Sequence, residues 1–160
     1  MEGGEHSYKF INIKGAPSYQ PNNLTVTKGH FAFARNIDSQ HKVVIYDKAL
    51  VEREEQKGYT EVSKDLTYIS LLKFVQFNDK TYLIVGCSNQ CQIKDEKGSR
   101  TEGLIQVTGD DFTAKPAQFL STCVVKCKDG AQLILAGTSR GTLYSMNKRF
   151  DNSMFHSMED

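Results

Sequence analysis

The stretch LILAGTSRGTLYSM (residues 133–146) admits two incompatible readings. Its centre, Gly137-Thr138-Ser139-Arg140-Gly141, fits G-x-S-x-G, the strained turn that presents a nucleophilic serine between a strand and a helix. The same residues fit a tight hairpin between two strands. The flanks choose between them. Gly141 is followed by Thr142-Leu143-Tyr144-Ser145-Met146, which reads as an alternating strand and not as a helix. A hydrolase using Ser139 would need that helix, so it stands as a remote alternative; His156, downstream, falls in FDNSMFHSMED, which reads as a frayed tail.

The hairpin recurs. FARNIDSQHKVVIY (33–46), LIVGCSNQCQIKDE (83–96) and LILAGTSRGTLYSM (133–146) align without a gap at an offset of fifty residues. Each is an apolar-rich strand, a short polar turn and a second strand; the turns are Asp38-Ser39-Gln40, Ser88-Asn89-Gln90 and Thr138-Ser139-Arg140. Upstream, the same offset places Phe74-Val75-Gln76-Phe77 over Val124-Val125-Lys126-Cys127, and Asp79 over Asp129. Downstream, Gly103-Leu104-Ile105-Gln106-Val107 reads as a further strand, with Glu61-Val62-Ser63 as its weaker counterpart. β-Branched and aromatic residues dominate these runs, and the prolines at 17, 21 and 116 fall in the connections. A meander of four strands every fifty residues or so implies an all-β fold built of antiparallel four-stranded blades of a β-propeller, about three of them in an incomplete ring. A meandering barrel or sandwich also spaces strands with polar turns, but neither calls for a gapless repeat.

Composition narrows the functional classes. Hydrophobic residues make up 39% of the 160 and charged ones 24%, ordinary for a globular chain. Twenty basic against nineteen acidic side chains leave no electrostatic footprint for nucleic acid or an anionic membrane. No apolar run approaches the ~20 residues of a membrane helix, and MEGGEHSYK lacks the apolar core of a secretory signal. The expected setting is therefore cytoplasmic, which also sets aside the Asn23-Leu24-Thr25 sequon. No Walker loop, HExxH or dinucleotide fingerprint is present, and no cofactor is expected.

With the repeat in view, the chain resembles the WD-repeat propeller family. Gly86-Cys87-Ser88 and Ala136-Gly137-Thr138 sit where that family keeps small residues, while Tyr46-Asp47 and Lys94-Asp95 stand in for its Trp-Asp pair in a chain without tryptophan. The resemblance covers most of residues 9–148 and implies a non-enzymatic platform for protein–protein interaction, with no catalytic residues. It also implies that strand 9–14 closes a ring. The expected organisation is a tail over 1–8, blades over 9–150 with units of about 16–65, 66–111 and 112–160, and a tail or the start of a further strand over 151–160. Three blades are fewer than the ~4–8 of closed propellers. The expected partners are therefore other proteins or the remaining blades of its own ring. An alternative is a structural subunit of a larger assembly, such as a ciliary or microtubule-associated one, that buries the open flanks.

A few side chains invite sharper expectations. The rim turns offer Asp38, Gln40, Asn89, Gln90 and Arg140 as partner-contacting residues, arginine because it combines planar charge with stacking area. Cys87, Cys91, Cys123 and Cys127 form two C-x₃-C pairs, which raises zinc, but buried structural cysteine is the simpler reading. His6, His30, His41 and His156 share no ligand spacing, and His41 is expected at a surface turn. The segment ALVEREEQK (49–57) alone looks helical, short and uncapped.

Overall fold

The computed structural model of the chain describes residues 20–52, 58–107 and 116–156. The tail 1–8, the expected ring-closing strand 9–14 and most of the charged run after residue 52 lie outside the described residues. The described strands form three antiparallel four-stranded sheets, each a simple meander. The first holds β1 (Leu24–Val26), β2 (His30–Ile37), β3 (Gln40–Asp47) and β4 (Tyr59–Val62). The second holds β5 (Leu71–Phe77), β6 (Lys80–Cys87), β7 (Gln90–Asp95) and β8 (Thr101–Gln106). The third holds β9 (Phe119–Lys126), β10 (Gln132–Thr138), β11 (Leu143–Met146) and β12 (Asn152–His156). The fold is all-β, of propeller-like blades, and the described residues make no closed ring.

Turn chemistry sets these reversals. Asn78 and Asp79 both take left-handed backbone, φ 48° and 62°, as a two-residue type I′ hairpin requires. Asp38 at 52° and Asn89 at 60° serve the equivalent turns between second and third strands, and asparagine and aspartate tolerate this region best among residues with a side chain. Gly141, at φ 77°, ends the third such turn and leads into β11. The strand-to-strand reading of G-x-S-x-G therefore holds. Ser139 Oγ accepts the Gln118 N–H at 3.0 Å, and the Ser139 N–H donates to the Gln118 carbonyl at 2.8 Å.

Alternation along each strand gives every sheet two faces. Ala32, Ala34, Val43, Ile45 and Val62 of the first sheet pack on Leu72, Leu83, Val85 and Cys87 of the second. The opposite face of the second sheet, with Leu71, Ile84, Cys91, Ile93 and Ile105, packs on Phe119, Ile134, Ala136, Tyr144 and Met146 of the third. The middle sheet is thus covered on both sides by its siblings. Burying each such Leu or Ile is worth about 1.5–3 kcal/mol, so most of its stabilisation comes from the neighbours.

The first strands line up side by side, β1 against β5 and β5 against β9. Their polar links repeat at a fixed separation. The Phe74 N–H donates to Thr25 Oγ1 (2.9 Å), Lys73 Nζ to the Thr122 carbonyl (3.0 Å) and Ser70 Oγ to the Phe119 carbonyl (2.7 Å), each joining residues 49 apart. Asn22 Nδ2 reaches the Leu120 carbonyl at 3.4 Å, a separation of 98, which links the first sheet to the third. The sequence repeat is a spatial repeat. Gly86 shows why a small residue is needed at this seam: an added Cβ would stand 2.8 Å from the Cβ atoms of both Leu71 and Phe119.

One expectation is corrected and one open alternative is decided. The helix is capped and starts one residue earlier: α1 (Lys48–Glu52) follows Asp47, whose Oδ1 accepts the Ala49 N–H at 2.9 Å, and residues 53–57 of the expected helical stretch lie outside the described residues. Of the two alternatives for 151–160, a tail or the start of a further strand, the strand is the one formed through residue 156: β12 pairs with β11 from Met146↔Asn152 to Leu143↔His156. Asn147 builds the turn into it. Its Oδ1 accepts the N–H groups of Arg149 (2.8 Å) and Asp151 (3.2 Å), and this sends Phe150 between the second and third sheets against Phe77 and Tyr82.

Candidate functional site

The five rim residues lie on the three turns between second and third strands, but the structure gives them different work. Asp38 and Gln40 are exposed, next to an Ile37 that is 48% exposed. Asn89 is committed to its own chain. Its N–H donates to the Ala117 carbonyl at 2.7 Å, its Oδ1 accepts the Ala117 N–H at 2.8 Å, and its carbonyl accepts the Val107 N–H at 3.0 Å. Gln90 turns its amide to the Asp65 carbonyl. Arg140 is half-buried, and its N–H lies 3.4 Å from Thr138 Oγ1.

These turns meet the connections between sheets. Asn36 makes both bonds with the Ile69 backbone through its side-chain amide (2.8 and 3.0 Å), Asn89 pairs with Ala117 through its Oδ1 and its own backbone N–H, and Ser139 holds Gln118. One end of the assembly is therefore a belt in which each second-to-third region grips the connecting chain. His41 belongs to this belt rather than to an open surface turn: it is half-buried, with Nδ1 3.0 Å from Asn36 Oδ1 and its ring edge-on to Tyr68.

The cysteines divide by face. Cys87 and Cys91 are both fully buried, yet Cys87 packs toward the first sheet and Cys91 toward the third, so their thiols cannot share an ion. Burial pushes the Cys87 thiol up to about 11 and Cys91 higher still, so both stay protonated. Cys123 is exposed and Cys127 half-buried, both on β9 or just beyond its end. Among the described residues no group of three or more His, Cys, Asp or Glu is placed to hold a metal ion, and no helix is long and apolar enough to cross a membrane.

Sequence reasoning missed the side chains that line the gap between the first two sheets. Gln92 and Lys94 alternate with Cys91 and Ile93 along β7, and the pattern Gln-Cys-Gln-Ile-Lys-Asp is legible in the sequence. Such a polar face ordinarily meets water. Here it faces the neighbouring sheet, and Gln92 and Lys94 are only 4% and 6% exposed. Burial lowers the Lys94 ammonium below the usual lysine range, opposed by the charges of Asp65 and Asp95. Between the sheets, Gln90, Gln92, Lys94 and Thr101 on one wall and Thr60 and Asp65 on the other bound a cleft of about 740 Å³.

His30 ties the same two sheets together nearby. Its Nδ1 sits 2.9 Å from Glu96 Oε1, and Thr27 Oγ1 donates to the same oxygen at 3.0 Å. Tyr46-Asp47 and Lys94-Asp95, the stand-ins for the Trp-Asp pair, occupy the ends of the third strands β3 and β7. Comparison with protein-family models, curated proteins and solved structures finds no match.

Proposed function

We propose that the chain is a non-enzymatic protein–protein interaction scaffold of WD-repeat propeller type, acting in the cytoplasm and contributing three blades to a larger ring. The observation that carries this reading is the middle sheet, whose apolar side chains pack, among the described residues, against a neighbouring sheet on each side. A unit of that kind is built to be stacked. Within the family, the order of segments 22–26, 83–93 and 133–144 resembles the N-terminal half of WD repeat-containing protein 54. The rim that presents Asp38, Gln40 and the Arg140 turn supplies the contact surface for other proteins.

A photo-cross-linking residue at Gln40 tests this reading in cells. Covalent capture of a defined protein from Gln40, absent when the same residue replaces Asp151 in the β11–β12 turn, is the expected result. Equal capture at both positions, or none at either, contradicts it. The exposed Leu24 and Val26 of β1, 56% and 58% exposed, favour a second reading, a structural subunit packed along a larger assembly such as a ciliary or microtubule-associated one. That reading predicts that cross-links concentrate on β1 instead.

A further inference from the structure

The two gaps between sheets are filled differently. Between the second and third, Phe150 packs with ring centroids 6.3 Å from Phe77 and 5.6 Å from Tyr82, and Gly103 leaves space that Met146 and Phe150 occupy. Between the first and second, the outer part is the open polar cleft of about 740 Å³, within the size range of sites that take small ligands or short segments. Its wall on β7 holds two unfinished groups. Gln92 donates through Nε2 to the Asp65 carbonyl at 3.0 Å, while its Oε1 is buried and, among the described residues, has no hydrogen-bond partner. Lys94 Nζ donates to Thr101 Oγ1 at 2.8 Å and, among the described residues, makes no ion pair. An ammonium has three donors, and Asp65 and Asp95 act on this one through space without a direct ion pair among the described residues, which leaves donors free for a carboxylate in the cleft.

We infer that this cleft docks an extended peptide segment bearing one carboxylate side chain, with the carboxylate on Lys94 Nζ and a backbone N–H of the segment donated to Gln92 Oε1. The inference rests on the scaffold reading and names the partner chemistry one of its sites selects. Gln92 and Lys94 are successive same-face positions on a strand, about 6.6 Å apart, which is also the two-residue repeat of an extended ligand. Asp65 and Glu61 line the opposing wall, and Glu61 is already engaged by Lys42 at 3.1 Å. They repel a second negative charge, so the site selects a single acidic residue over a polyacidic tract.

The test uses the isotopically labelled full chain and two capped hexapeptide libraries that differ only in a central Glu or Gln. The Glu library is expected to shift the Gln92 side-chain amide resonances and to bind at least about ten-fold more tightly than the Gln library, the gain from one charge-assisted contact. Lys94→Met and Gln92→Glu should both erase that preference, the second by placing a carboxylate of the chain itself beside Lys94. Gln92→Glu carries the test alone if Lys94→Met fails to fold. Equal binding of the two libraries, shifts confined to other sheets, or a Glu preference that survives Gln92→Glu would overturn the proposal. If capture from Gln40 succeeds while the libraries bind equally, the cleft proposal falls and the scaffold reading stands; if both fail, both fall.

Discussion

Asp95 shows how much one side chain can organise. Its Oδ2 accepts the Ser99 hydroxyl at 2.6 Å and its Oδ1 the Arg100 N–H at 2.9 Å, closing the turn that carries Gly98 into the first sheet. Burial pushes its carboxyl up, but these hydrogen bonds and the Arg100 charge outweigh that and hold it below the usual aspartate range. Because its folded value is depressed, Asp95 contributes stability that is present above the ordinary carboxylate range, near pH 4, and is lost as pH falls through the folded value. Denaturant titrations between pH 5 and pH 2 should therefore show a shallower acid limb in Asp95→Asn than in the wild type; identical limbs would remove this role. The thiols give a second check. With a maleimide at neutral pH, Cys123 should label in the native chain while Cys87 and Cys91 label only on unfolding, since burial keeps both as protonated thiols. Mass mapping of the labelled peptides reads this directly. At this scale the sequence was least informative. Nothing in the letters of Lys94 says that its strand turns a polar face to another sheet rather than to water.

At the scale of the elements, strands and hairpins were legible because turn residues and period-2 alternation are local properties. Asp38, Asn89 and Gly141 mark the turns through backbone conformations that few other residues adopt. Legibility failed where one side chain acted across an element boundary. A helix read from Ala49 onward looks uncapped because Asp47, its cap, belongs to β3. At 151–160 a tail and a further strand stayed equally open, because the Asn147 turn that returns the chain has no glycine or proline to announce it. Asn89 is likewise more than a turn residue. Replacing it with alanine strands the Ala117 N–H and forces an unfavourable left-handed alanine, a loss of about 1–3 kcal/mol for the hydrogen bond and about 1 kcal/mol or more for the backbone. Asn89→Gly keeps the conformation and loses only the bond. Urea unfolding should rank wild type above Asn89→Gly above Asn89→Ala; glycine and alanine behaving alike would show that the backbone conformation contributes nothing.

For the whole molecule, the arrangement follows from faces that have nowhere else to go. The second sheet is apolar across the face turned to the third sheet and, on β5 and β6, across the face turned to the first, so neither side is suited to water. The repeat offset in the sequence foretold this stacking, and the inter-sheet links spaced 49 residues apart give its physical form. The different fillings of the two gaps, apolar with Phe150 on one side and a polar cleft on the other, were not foreseeable, because they depend on which residues from distant strands meet. The most direct measurement is amide hydrogen exchange in the full chain and in Phe119→Ala, which removes a fully buried ring of the third sheet from the seam against Gly86 and Leu71. A Phe→Ala change in a core costs about 3–5 kcal/mol. If the sheets are mutually dependent, protection at Ile84 and Ile93 in the second sheet should fall by about a hundred-fold or more together with that of the third. Loss of protection confined to β9–β12, with β5–β7 exchanging as slowly as before, would contradict the stacked-blade architecture.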